Sequence, residues 1–238
     1  MRGMLFKAPY LIFRRILGGT MLDRMHIDTA NAFYQQILKW LHIPGAEYIY
    51  ALLEYNLTIL LERKVVEYIQ TVYGERFIDI GAYAGYYSKK LGNGFGIVYA
   101  FEPDPQNYQL LLRRIGILKG HIIPINKAVY SYSGIRKFYY KNVSPLRSLV
   151  VHHESDSISV ETISLHDFVR EPIDLIKVDA EFAEYPILVG ASDVMHRIKR
   201  WIIEVHDPND SKDIEYELTS HGYKIRWLDE LHILGEQK

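Results

Sequence analysis

The stretch Phe77–Ser88, FIDIGAYAGYYS, constrains this chain more than any other. A short apolar run carries Asp79 near its end, a turn with Gly81 and Gly85 follows, and the next residues can open a helix. A strand of this kind delivers the chain to one edge of a sheet. Glycines let the backbone turn tightly and approach a ligand closely. The helix then turns its unpaired N–H groups toward whatever sits there. An acidic side chain just before the turn disfavours phosphate. It favours a ligand with amino or hydroxyl donors.

From Glu75 onward, short β-rich runs alternate with helical segments. Strands are expected at Phe77–Ile80, Ile97–Phe101, Ile122–Ile125, Ile173–Val178 and Trp201–Val205. Helices are expected over Pro105–Leu118, with Tyr108, Leu111, Leu112 and Ile115 as the apolar face, and over Ala183–His196. Pro186 is tolerated there because it falls in the first turn. A further helix runs to about Thr219, with Asp210 or Ser211 as its cap, and Gly222 stops it. Tyr223–Trp227 and Leu231–Leu234 read as a terminal strand pair. The fold class is therefore α/β, a mostly parallel central sheet with helices on both faces and an antiparallel C-terminal pair. Residues 129–165, with extended runs at Arg136–Tyr140 and Ser157–Thr162, read as an insertion over the active face or an added sheet edge.

Residues 1–70 read as a helical N-terminal appendage, broken at Ala8-Pro9, Gly18-Gly19 and Pro44-Gly45, and residues 71–238 as the main domain. No segment reads as a transmembrane helix. Lys7, Arg14 and Arg15 interrupt the apolar N-terminus, against a cleaved signal peptide. A cytoplasmic location is expected, with contact of the N-terminus at a membrane surface as an option. The sequons at Asn56 and Asn142 read as incidental. With 48% hydrophobic residues the chain can build a full core, and a net charge of -1 gives no indication of nucleic-acid binding. The absence of cysteine removes disulfides, thiolate metal sites and cysteine nucleophiles.

Ligands of an open α/β sheet bind beyond the carboxyl ends of its strands, at the switch in strand order. Polar residues stand at each such end: Asp79 and Gly81, then Glu102, Asn126, Asp179 with Glu181, and His206 with Asp207. Glu102 comes about 20 residues after the glycine turn, where an acidic group accepts hydrogen bonds from both ribose hydroxyls of a bound nucleoside. That placement serves NAD and S-adenosylmethionine (SAM) alike. The turn is D-x-G-x-x-x-G and lacks the G-x-G-x-x-G pyrophosphate cradle. Asp79 would repel a phosphate and attract the ammonium of a methionine moiety. Both features favour SAM.

The runs FIDIGAYAGYYS, VYAFEPDPQNYQLL, INKAVYSYSG, IDLIKVDAEFAEYPILVGA and WIIEVH resemble, in order and spacing, the successive motifs of the FkbM-type SAM-dependent methyltransferases. The resemblance covers about residues 75–207. It implies a Rossmann-like class I methyltransferase fold and O-methylation of a hydroxyl on a sugar or other small-molecule or glycan acceptor. It implies SAM contacts at Asp79, Gly81, Tyr83, Gly85 and Glu102, with Asn126–Ala128 near the adenine. Tyr83 stands where the family commonly has a small polar residue. Phe182 stands where it usually has glycine, which puts bulk in the acceptor crevice.

Methyl transfer needs alignment of acceptor and methyl group, and a hydroxyl acceptor must lose its proton. Asp179, Glu181, Glu184 and His206 are the candidates for the base, with Asp179, Glu181 and His206 as the catalytic set. Asp179 can instead position the methionine end of SAM, which leaves Glu181 or His206 as the better base. Glu184 has a structural alternative, pairing with Lys177 or Arg197. Asp179, Glu181, His206 and Asp207 could converge on a divalent ion, yet their spacing carries no metal signature and no metal ligand is assigned. His152-His153 reads as surface. Two rival readings are a nicotinamide-dependent oxidoreductase on a similar sheet and a non-catalytic binding or scaffold protein that kept the SAM fold.

Overall fold

The computed structural model describes residues 62–116, 120–140, 147–148 and 156–237. They belong to one compact unit, Glu62–Tyr140 with Arg147–Lys238. The expected N-terminal helices up to residue 61, the two sequons, His26, His42 and His152-His153 lie outside the described residues. Helix α1 (Arg63–Ile69) leads in, with Val65, Val66 and Ile69 buried.

The frame is a seven-stranded sheet. Strands β1 (Gly74–Ile80), β2 (Phe95–Phe101) and β3 (Ile122–Ile125) run outward from the centre in one direction. Strands β8 (Leu175–Val178) and β9 (Arg200–Glu204) run outward in the other. These five are mutually parallel. The C-terminal hairpin closes that side, with β11 (His232–Gln237) antiparallel to both β9 and β10 (Tyr223–Trp227). Phe77 and Ile78 are both fully buried, as are Leu175 and Ile176, and Trp201, Ile202 and Ile203. Successive residues point to opposite faces of a strand, so this burial means that both faces are covered, the usual state of a parallel sheet.

Helix α2 (Tyr86–Lys90) follows β1. Helix α3 (Pro105–Ile115) follows β2; Asp104 caps it by accepting from the Gln106 and Asn107 amides at 2.9 Å. Its buried face is Leu111 and Ile115, while Leu112, expected on that face, is exposed. The single long helix expected after β8 is two pieces. Helix α5 (Glu184–Val189) ends at Gly190, and a 3₁₀ stretch covers Ser192–Arg197. At Gly190 the chain passes so close to Tyr130 and Ser131 that a Cβ would meet their backbone atoms at 2.7 Å. The last helix, α6 (Ser211–Ser220), starts after Asp210, whose side chain makes no capping bond.

The inserted piece forms a separate sheet, not an edge of the first. Its four strands are β4 (Ala128–Val129), β5 (Gly134–Tyr140), β6 (Arg147–Ser148) and β7 (Asp156–Ile163). Phe138 and Val160 from it join Ile78, Ile80, Ile176, Trp201 and Leu188 in one apolar core. The short helix α4 (Leu165–Phe168) leads back from it toward β8. Among the described residues no helix is long and apolar enough to cross a membrane.

Candidate functional site

Five adjacent parallel strands place all their carboxyl ends on one edge. The order reverses between β1 and β8, so the crevice expected of such a sheet opens beyond that pair. Asp79 and Asp179, Glu102, Asn126 and His206 lie at or just beyond those ends. The close passage of β1 and β8 is what Gly81 is for. It has φ +77°, and a Cβ there would lie 1.8 Å from the Asp179 carbonyl oxygen. Gly85 has φ +74° and would meet Leu111 of α3 at 2.6 Å.

The β1–β3 side is laced together by its own polar groups. Asp79 is buried, and its Oδ2 accepts from the Ser88 amide at 2.9 Å and the Ser88 hydroxyl at 2.5 Å, which pins α2 to the strand end. Its Oδ1 is buried with no hydrogen-bond partner among the described residues. Burial drives the Asp79 carboxyl upward from its ordinary pKa, opposed by Lys177 and the Ser88 bonds. The Gly81 and Ala82 amides donate to the Phe101 carbonyl at 3.0 and 2.9 Å. Tyr83, at φ +46°, donates its amide to Glu102 Oε2 at 2.9 Å, and Asp104 donates its amide to Glu102 Oε1 at 2.9 Å. Asn126 Nδ2 donates to the Glu102 carbonyl at 2.8 Å and to that of Pro103 at 3.1 Å. Ala128 is buried in β4. The residues expected on the cofactor side thus stand at or beside the carboxyl ends of β1–β3 and β8. Asn126 acts on the turn backbone, and Tyr83 contributes its amide to that turn.

The β8–β9 side is built from charge. Lys177 is buried; its Nζ lies 3.1 Å from Asp179 Oδ2 and 4.5 Å from the centre of the Tyr87 ring. Burial alone would lower its pKa, but Asp179, Glu62, Glu204 and Asp79 raise it well above the ordinary lysine value. Beyond Asp179 the backbone turns left-handed at two non-glycine residues, Glu181 (φ +48°) and Phe182 (φ +75°). Glu184 supports that turn, accepting from the Ala180 and Phe182 amides at 3.3 and 3.2 Å. Its Oε1 also lies 2.8 Å from His206 Nδ1. The expected pairing of Glu184 with Lys177 or Arg197 is therefore corrected. Arg197 bonds the Arg170 carbonyl instead, and Glu184 orients the histidine.

His206 Nε2 faces Asp179 at 3.8 Å, Glu181 at 3.6 Å and Glu204 at 3.7 Å. Burial lowers its pKa, but the Glu184 bond and the carboxylates around it push it up to about 11. The Phe182 ring lies 5.7 Å from the imidazole. Asp179, Glu181 and His206 are close enough for one cation, with ligand atoms within 4.8 Å of one another. Asp207 is not part of that group; its Oδ1 accepts from the Asn209 amide and side chain at 2.9 and 2.8 Å. Sequence reasoning misses Glu204 and passes over Lys177 as a strand residue. The signal is a charge set against an apolar run, Lys177 within LIKV and Glu204 after WII, because a charge in a doubly covered strand needs a partner.

A family model described as the methyltransferase FkbM domain matches residues 79–225. The hexuronic acid methyltransferase AglP of Haloferax volcanii is 29% identical over an alignment 152 residues long that covers 59% of this chain and 62% of that protein. The match thus spans less than two thirds of that relative's length. The crystal structure of the methyltransferase FkbM from Methylobacillus flagellatus KT superposes with a TM-score of 0.50 at 20% identity, covering 87% of this chain and 59% of that one. A Streptococcus mutans protein solved with S-adenosylhomocysteine superposes with a TM-score of 0.50 at 12% identity, covering 74% of this chain and 97% of that one. Both share the fold with this chain.

Proposed function

We propose that this chain, which belongs to the FkbM methyltransferase family, transfers a methyl group from SAM to a hydroxyl oxygen of a sugar, glycan or other small molecule. The observation that carries the reading is the split crevice at the strand-order switch, with a hydrogen-bonding floor on β1–β3 and a cluster of proton-handling side chains on β8–β9. The residues present suit SAM. Asp79 Oδ1 is a buried acceptor with no hydrogen-bond partner among the described residues, apt for an ammonium directly or through water. Glu102 is a buried carboxylate held by two amides, at the position where an acidic group accepts from the ribose hydroxyls of a bound nucleoside. Gly81 and Gly85 form the close turn beside them, and Asn126–Ala128 lie at the β3 end for the adenine. The hexuronic acid named in the Haloferax relative supports a sugar acceptor. No observation favours the nicotinamide reading.

SAM supplies an electrophilic methyl group on a sulfonium, and the chain has to align the acceptor oxygen and take its proton. The acceptor's lone pair forms the new C–O bond while the C–S pair stays on sulfur. Glu181 is the residue we assign as base. Asp179 is engaged by Lys177 at 3.1 Å. His206 has carboxylates at both ring nitrogens and serves as a donor that holds the acidic pair in place. Phe182 and His206 form the acceptor wall.

The test is SAM-derived methyl transfer to a panel of sugars, read beside calorimetric binding of SAM and S-adenosylhomocysteine. Glu181→Gln is expected to lower turnover by roughly 10²–10⁴-fold and to leave S-adenosylhomocysteine affinity within a factor of about three. Absence of binding of either nucleoside at high micromolar concentration would overturn the methyltransferase reading. Binding with full turnover in Glu181→Gln would overturn only the base.

A further inference from the structure

A second polar cluster lies behind the crevice, and the proposed reaction does not use it. Glu62 stands just before α1, Glu204 ends β9 and His232 begins β11. We propose that Glu62, Glu204 and His232 form a site for one divalent transition-metal cation, of the Zn²⁺ or Mn²⁺ kind.

The histidine carries most of the case. His232 is 2% exposed. Its Nδ1 lies 2.8 Å from Asp229 Oδ1, and the same oxygen accepts the Leu231 and His232 amides at 3.0 and 2.9 Å. The ring is therefore fixed from behind. Its Nε2 is buried and, among the described residues, makes no hydrogen bond of ordinary geometry. It points at Glu204 Oε2, 3.4 Å away, and Glu62 Oε2, 3.7 Å away. Those separations exceed the usual hydrogen-bond range. They are close to what a shared cation imposes: ligands about 2.1 Å from a metal stand roughly 3.0–3.4 Å apart at octahedral to tetrahedral angles. The cluster's ligand atoms all lie within 4.8 Å of one another. A carboxylate on one ring nitrogen and a cation on the other is the usual arrangement around a metal-bound histidine, and it fixes the tautomer.

Charge points the same way. Asp179, Glu62, Glu204 and Asp79 all act on the single buried ammonium of Lys177. The Tyr87 hydroxyl donates to Glu62, which relieves one acceptor but adds no positive charge. Buried carboxylates in excess of their cations hold protons or a metal. A proton on His232 Nε2 can fill that role in the metal-free protein, and a binding cation would release it. One imidazole with two carboxylates selects first-row transition metals over Mg²⁺ or Ca²⁺, which prefer oxygen alone. Three protein ligands leave a further position open. Glu204 Oε1 lies 3.7 Å from His206 Nε2, so the cation would sit one carboxylate away from the acceptor cluster. The inference stands apart from the methyltransferase reading, because metal uptake is read without turnover.

The test uses the full chain, stripped with chelator and then dialysed against Zn²⁺, Mn²⁺ or Mg²⁺ separately. About one equivalent of Zn²⁺ or Mn²⁺ per chain, with Mg²⁺ bound at least tenfold more weakly, is the expected result. His232→Gln and Glu204→Gln should each lose that equivalent, and Asp229→Asn should weaken it by roughly 10–100-fold. Should a variant fail to fold, the wild-type protein still decides. Imidazole NMR signals of His232 must shift with Zn²⁺ and broaden with Mn²⁺. No uptake at micromolar metal, uptake unchanged in His232→Gln, or uptake lost in His206→Gln but kept in His232→Gln would each overturn the site.

Discussion

Phe182 is the residue whose sequence reading and structural reading differ most. In the sequence it is a bulky side chain in place of a family glycine. In the structure the backbone there has φ +75°, the conformation that makes glycine the easy choice. The side chain is tolerated against a strain of roughly 1–2 kcal/mol, and its ring rests beside His206. Two variants separate ring from backbone. Phe182→Ala removes the ring and keeps the strain, whereas Phe182→Gly removes both. Phe182→Gly should therefore be more stable than Phe182→Ala by about 1 kcal/mol in urea unfolding. Equal midpoints would show that the left-handed turn stores no strain. Gly81 and Gly85 are legible from sequence as turn glycines. Their actual constraints, the Asp179 carbonyl and the Leu111 side chain, are not, because those neighbours come from β8 and α3, far along the chain.

At the scale of elements, the alternation of apolar runs and helical periods located the five parallel strands and the C-terminal hairpin. Period and length are local properties. What it missed depends on distant contacts. The helix break at Gly190 follows from the close approach of Tyr130 and Ser131. The second sheet follows from pairings between segments distant in the chain, β4 with β7 and β5 with β7, that no local pattern specifies. Another such contact is Asp174, just before β8. Its Oδ2 accepts the Glu75 and Arg76 amides at 2.7 and 3.0 Å, and its Oδ1 accepts from Lys199 Nζ at 2.6 Å. It ties the start of β1 to β8 and β9. Burial raises its pKa, but the Lys199 and amide bonds outweigh that and hold it below its ordinary 3.8. A depressed carboxylate contributes stability that is present above its unfolded pKa and lost as pH falls through the folded one. Asp174→Ala should cost roughly 1–3 kcal/mol at neutral pH. The loss should shrink in acid, below pH 3.8, as the wild-type carboxyl protonates. A loss that stays constant from pH 7 to pH 2 would show that the carboxylate's charge contributes nothing.

For the molecule as a whole, one sheet carries both halves of the proposed site on its strand ends. A ligand that binds only the native state adds its binding energy to global stability. S-adenosylhomocysteine at 100 times its dissociation constant should stabilise the chain by about 2.7 kcal/mol. The midpoint of thermal unfolding should climb with the logarithm of its concentration. A midpoint that ignores the ligand despite measured binding would mean that the crevice belongs to a part that unfolds separately.

The contact of Gly81 with the Asp179 carbonyl has a further consequence. In the proposed assignment the cofactor residues lie on β1–β3, the turns after them or the start of β4, and the acceptor residues lie on the loops after β8 and β9. They meet where β1 pairs with β8: the Asp179 amide donates to the Ile80 carbonyl at 3.0 Å, Gly81 passes beside the Asp179 carbonyl, and the Lys177 ammonium lies over the Tyr87 ring. On that assignment, the chain divides along its length into a reader of the donor and a reader of the recipient, paired strand to strand along β1 and β8. Recipient preference can drift through the Glu181–Glu184 turn and the loop after Glu204 without retuning the donor half, and a graft of those two segments from a relative should carry its specificity across.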